Sequence, residues 1–145
     1  MGGGRARNIN LQSSAKPGII GVGGGDAMDL TRKHILASQN LNIHYAKQNH
    51  HVLGSGGYIE GRSVLTSDPE MLVRLYAGRG EPIIVNGKWN MRERFEHTEV
   101  IGIWKSSSTD ETFSTTRGQI HYSKRGVHIV PARPANYEER VASAP

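Results

Sequence analysis

The chain reads as an α+β domain in which N-terminal helices pack on a twisted antiparallel sheet of about four strands. Three observations carry that expectation. A capped helix signal, Ser67-Asp68-Pro69-Glu70, precedes the strongly β-like segments. Asn86-Gly87 stands between two runs of strand-forming residues. A closing segment, 115–134, alternates apolar and polar residues on both sides of Lys124-Arg125-Gly126. Helices that precede strands, rather than alternating with them, select an antiparallel sheet with helices on one face.

Residues 1–25 hold eight of the eighteen glycines and almost no large side chains, too little apolar surface to pack, so they read as a flexible lead-in or linker. Their G-V-G-G-G run, followed by Asp26, is not a dinucleotide loop. Asp26 stands where the third glycine belongs, and no βαβ unit follows. The domain proper is expected at 26–134, with 135–145 as a C-terminal tail. Residues 26–38 predict a helix with Met28, Leu30, His34, Ile35 and Leu36 on a mixed apolar face and Asp26 and Asp29 near its positive end. The next helix takes Ser67 as N-cap and Glu70 as its capping-box partner, carries Met71, Leu72, Leu75 and Tyr76 as one stripe, and ends at Gly78.

The strands follow. Residues 82–85 turn at Asn86-Gly87 and return along 88–95, a favoured hairpin pair. Further strands are expected at 98–105, 113–123 and 127–131, with a polar loop at 106–111. In the last hairpin the apolar residues Ile120, Tyr122, Val127 and Ile129 select the core face. A two-residue turn at Arg125-Gly126 then puts His121, Ser123 and His128 together on the other face. A three-residue turn would separate His121 from His128, because one step of register flips every side chain. The apolar pattern favours the first arrangement.

Composition excludes several classes. Among 145 residues there is no cysteine, hence no disulfide framework, thiolate zinc site or cysteine nucleophile. No apolar run is long enough for a membrane helix or, behind Arg5 and Arg7, for a signal peptide, so export would depend on another module or machine. The net charge of +5 is unevenly placed. Residues 1–43 carry five basic and two acidic side chains, and the remainder thirteen and eleven, so the main body is nearly balanced. Within 115–134, however, Arg117, Lys124, Arg125 and Arg133 have no carboxylate among them. Such a stretch is either a solvated hairpin or a surface for a nucleic-acid backbone.

A second histidine cluster, I-H-Y-A-K-Q-N-H-H-V-L-G (43–54), brings His44, Lys47, His50 and His51 close in sequence. A metal site is the weaker reading, because Glu60 is the nearest acid and no HExxH pattern is present. Metal-free phosphodiester cleavage suits this inventory better. One imidazole removes the ribose 2′-hydroxyl proton, a second protonates the leaving oxygen, and a Lys or Arg stabilises the charged phosphorane.

At these residues the chain resembles the bacterial polymorphic-toxin type 50 domain. The resemblance runs from about residue 43 to 134, through the 43–54 motif, G-R-S-V-L-T, Y-A-G-R-G, N-G-K-W-N, V-I-G and above all T-T-R-G-Q-I-H-Y-S-K-R-G-V-H-I-V-P-A-R-P. It implies a ribonuclease toxin of the barnase–EndoU–colicin–RelE fold group, without a cofactor. Its implied partners are an RNA substrate, an immunity protein and a secretion-system carrier. It implies action in the bacterial cytoplasm after delivery. Similar domains also end phage minor head proteins, which leaves a virion-associated structural role, with a capsid protein as partner, as the alternative. The matching polar positions are Lys47, Gln48 and His51, then Arg62 and Ser63, then Thr116, His121, Tyr122, Ser123 and His128. Of these, Lys47, His51, His121 and His128 are expected to be catalytic and the rest to bind substrate; which histidine is acid and which base stays open. Each has a plainer reading. A strand histidine can satisfy a backbone carbonyl, Arg62 can pair with Glu60 or Glu70, Thr116 and Ser123 can be surface hydroxyls, and Tyr122 can be core. Convergence of Lys47, His51, His121 and His128 in one cleft separates the enzyme from the binding protein.

Overall fold

A computed structural model describes residues 24–137. The lead-in expected at 1–25, apart from Gly24 and Gly25, and the tail beyond 137 lie outside the described residues. Helix α1 (Gly24–Ser38) is followed by the short α2 (Tyr45–Gln48), a 3₁₀ turn (Asn49–His51), strand β1 (Val64–Leu65) and α3 (Pro69–Tyr76). Strands β2 (Glu81–Val85), β3 (Lys88–Glu96), β4 (Gly102–Lys105), β5 (Thr112–Thr115), β6 (Arg117–Ser123) and β7 (Gly126–Pro131) complete the domain. The architecture is α+β, as expected. Among the described residues the strands form two antiparallel sheets, β2-β3-β6-β7 and β1-β4-β5. No described helix is long and apolar enough to cross a membrane.

The core lies between the helices and one face of the four-stranded sheet. Ile120, Tyr122, Val127, Ile129 and Phe95 point to it, and Ile35, Leu72, Val73 and Ala77 close it from the helices. Of the expected apolar face of α1 only Ile35 is fully buried. Leu30 and Leu36 remain exposed, so α1 is held in part by polar contact, with Arg32 Nε donating to the Gly80 carbonyl at 2.7 Å.

Four expectations need correction. The N-cap of α3 is Asp68, not Ser67: its Oδ1 accepts from Glu70 N at 3.0 Å. Proline at the first helical position forces the preceding residue to be extended, and Asp68 has φ −69° and ψ 115°. The 98–105 strand shrinks to Gly102–Lys105. The single strand expected over 113–123 breaks at Thr116, so β5 and β6 belong to different sheets. Thr115 makes that corner, its Oγ1 accepting from Arg117 N and donating to the Ala132 carbonyl. Finally, the last turn is Lys124-Arg125, one residue earlier than expected. Ser123 pairs with Gly126 and His121 with His128. This moves the register by two, which preserves faces and sets the two histidines directly opposite each other. The Asn86-Gly87 turn is as expected, with φ of 52° and 76° in the left-handed region.

The outer edge of β7 is not open. Val127 exchanges backbone hydrogen bonds with Asn42 and His44, at 2.8 Å each. Gly126 permits that approach, since a Cβ there would overlap the Asn42 carbonyl. One pair further along, the Gln48 side chain replaces a strand. Its Oε1 accepts from Ile129 N at 2.7 Å and its Nε2 donates to the Ile129 carbonyl at 2.9 Å. Gln48 is fully buried. This clamp fixes α2, and with it Lys47 and His51, against the histidine-bearing hairpin.

Candidate active site

Three imidazoles meet where the 3₁₀ turn approaches β6 and β7. The His121 and His128 rings are edge-to-face with centroids 4.9 Å apart, and His51 lies parallel to His128 at 6.1 Å. They line a cleft of about 760 Å³ together with Lys47, Arg62 and Ser63. Arg92 and Lys105 add two more cations, and among the described residues no Asp or Glu lines the cleft. The four residues whose convergence was the test therefore share one cleft.

Hydrogen bonds fix two of the three rings. His51 Nδ1 lies 2.9 Å from the Ser63 carbonyl. A carbonyl only accepts, so Nδ1 carries the hydrogen and neutral His51 presents a lone pair on Nε2. Ser63 is itself anchored, its Oγ accepting from Lys105 N at 3.0 Å. Tyr58 ties the same wall together, donating to the Arg62 carbonyl and accepting from Lys105 Nζ. His121 Nε2 lies 3.0 Å from Gln119 Oε1 and donates to it. Its Nδ1 is then the acceptor in the neutral ring.

Burial and mutual repulsion keep these rings from charging. Desolvation, then His128, Arg92 and His51, lowers the His121 pKa to about 3. Desolvation, then His51, Lys47, His44 and His50, lowers that of His128 to about 4. His51 is lowered too, chiefly by burial, with Arg62 and His50 adding and the Ser63 hydrogen bond opposing. The cleft thus sets these three neutral imidazoles among fixed cations. An anion entering it supplies the missing counter-charge and favours proton uptake by the cluster.

Four other expected residues are placed differently. Gln48 is spent on the clamp to β7. Thr116 sits at the β5–β6 corner, donating to Glu96 at 3.1 Å. Ser123 closes the hairpin turn, donating to the Gly126 carbonyl at 2.9 Å. Tyr122 reaches the cleft wall from the core face, while its hydroxyl donates to buried Glu93 at 2.6 Å. Burial first, then that bond, pushes the Tyr122 phenol well up, so it stays a proton-bearing donor. Conversely, sequence reasoning missed His50, Asn90, Met91, Arg92, Lys105, Ser106 and Ser107 among the lining residues. Arg92 is cross-strand from His121. Strand alternation groups Arg92 with Arg94 and Glu96, but only the β3–β6 register assigns that group a face. Met91 has φ 57° and lies where the β2–β3 register shifts, a bulge at the rim of the cleft.

A search of curated proteins finds no match to this chain. The sequence model of the family bacterial toxin 50 (Ntox50) matches residues 41–131, a span that contains the clamp, the three imidazoles and the cations around them. The chain belongs to the bacterial toxin 50 family.

Proposed function

We propose that this toxin domain is an endoribonuclease that cleaves RNA without a metal ion, by transesterification to a 2′,3′-cyclic phosphate. The observation that carries the reading is the convergence of three imidazoles inside a cleft lined by cations and, among the described residues, by no carboxylate. Such a field attracts a phosphodiester and repels a divalent cation.

In this mechanism His51 Nε2, whose lone pair is fixed by the Nδ1–Ser63 bond, takes the 2′-hydroxyl proton. The 2′-oxygen attacks phosphorus, and the bond to the 5′-oxygen breaks. The His121–His128 pair, holding one proton while the phosphate is bound, delivers it to that leaving oxygen. Lys47, Arg62 and Arg92 stabilise the phosphorane charge. The pair titrates as a unit, so its proton belongs to both rings. The same basic cleft is the natural target of an acidic immunity protein. Delivery by a secretion system or a phage particle would bring the domain to RNA in the bacterial cytoplasm.

The test is incubation of purified protein with total RNA in EDTA, beside His51→Ala and His121→Ala. Cleavage leaving cyclic-phosphate ends, and falling about 10²–10⁴-fold in each variant, is expected for lost general acid–base catalysis. Intact RNA at high protein concentration refutes the reading and favours a structural binding role for the same fold.

A further inference from the structure

The face of the four-stranded sheet that carries His121 and His128 continues beyond the cleft. Cross-strand pairs share a face, so Arg92 and His121 are followed by Arg94 and Gln119, then by Glu96 and Arg117. Val130 stands opposite Gln119 on the other side. Among the described residues, α1 reaches only its margin, where Met28 and Arg32 share a pocket with Arg94, Glu96 and Arg117. Arg94 and Arg117 expose 43% and 39% of their side chains, whereas the opposite face carries buried Glu93, Phe95 and Ile120.

Arg94, Arg117 and Arg133 line a second, smaller pocket with Gln119, Ala132 and, among the described residues, a single carboxylate, Glu81. Arg133 is steadied by the Tyr137 ring, 5.4 Å from its guanidinium carbon. Gln119 joins this pocket to the cleft through its 3.0 Å bond to His121. Arg117 is four residues from His121 along β6, about 14 Å at about 3.4 Å per residue. One phosphodiester does not span that distance.

We propose that these arginines form a distal phosphate subsite, which holds an RNA strand across the open sheet face several nucleotides from the bond that is cut. The subsite rests on the nuclease reading and adds the substrate class: an extended single strand of several nucleotides rather than a dinucleotide. Carboxylates partner two of the arginines, Glu81 with Arg94 at 3.3 Å and Glu96 with Arg117 at 3.6 Å. Exposed pairs of this kind are weak and exchange readily. A phosphate accepting two parallel guanidinium bonds replaces them favourably.

The experiment compares an octaribonucleotide with a dinucleotide as substrates of wild type, the triple variant R94Q/R117Q/R133Q, and Glu81→Gln. For the triple variant the octamer KM rises at least about tenfold, and the slope of log affinity against log salt falls by about 2, as expected for three lost single-strand phosphate contacts. Dinucleotide cleavage by that variant stays at the wild-type rate, which also shows that it folds. Glu81→Gln releases Arg94 and lowers the octamer KM. An unchanged octamer KM in the triple variant, or equal losses on both substrates, overturns the subsite and leaves the nuclease reading standing. Wild type that cuts neither substrate overturns both.

Discussion

Removing the Gln48 side chain tests whether it is a clamp or a substrate ligand. Its two hydrogen bonds, of 2.7 and 2.9 Å, satisfy both backbone groups of Ile129, a residue with no solvent exposure. Gln48→Ala leaves a buried N–H and a buried C=O unpaired, at about 1–3 kcal/mol each. Water entering the vacated space recovers part of this, so a net loss of about 3 kcal/mol is expected. For a domain of this size that lowers Tm by about 10–15 °C. Gln48→Glu is the sharper variant. It keeps the volume and the acceptor for Ile129 N, but its carboxylate faces the Ile129 carbonyl. Burial and that repulsion raise its pKa on folding, so the folded state binds the proton more tightly than the unfolded one. The destabilisation is therefore full at neutral pH and shrinks as pH falls through the raised value. Thermal unfolding followed by circular dichroism between acid and neutral pH measures both effects. A Gln48→Ala protein that melts within roughly 2 °C of wild type, a shift worth less than about 1 kcal/mol, yet no longer binds RNA would refute the clamp and make Gln48 a ligand.

Two further outcomes follow from the buried polar groups. His121 and His128 are depressed on folding to about 3 and about 4, from an ordinary value of 6.5. The unfolded chain therefore binds more protons over that window, and stability falls as pH drops from about 6.5 towards 4. His128→Asn flattens the decline in Tm against pH; an unchanged profile would show that the imidazoles are not held neutral. Glu93, fully buried, accepts from Gly78 N at 3.0 Å, Gly80 N at 2.7 Å and the Tyr122 hydroxyl at 2.6 Å. Glu93→Gln turns one acceptor into a donor facing a donor and is expected to cost about 2–4 kcal/mol, against about 1 kcal/mol for Tyr122→Phe. Equal urea midpoints for the two variants would contradict this.

Short-range signals were legible where one residue decides a backbone conformation or a face. Asn86-Gly87 set its turn, and Pro69 set the start of α3 even though the N-cap proved to be Asp68. In the final hairpin the expected turn was displaced by one residue. A displacement of that kind shifts the pairing by two, and an even shift leaves every side chain on its face, so the grouping of His121, Ser123 and His128 survived. That grouping alone did not make a site, since Ser123 bonds back to its own turn. The corner at Thr116 was invisible because both halves of 113–123 have the composition of a strand. The break comes from hydrogen bonds that Thr115 makes to Arg117 and to Ala132, a partner distant in sequence.

Local sequence sufficed for the α+β class, the core face of the last hairpin and the resemblance that the family match bears out, though not for β1, which precedes α3. Each of these depends on periodicity, turn chemistry or motif order, all readable within a few residues. The cleft depends on contacts across long separations. His51 reaches His128 because Gln48, together with the Asn42 and His44 bonds to Val127, locks α2 to the edge of β7, and Arg92 reaches His121 only through the β3–β6 register. The conversion of Gln48 from a plausible ligand into a buried clamp has the same origin. A polar side chain has the same donors and acceptors wherever it lies, and only the folded chain determines whether a backbone edge or a ligand receives them.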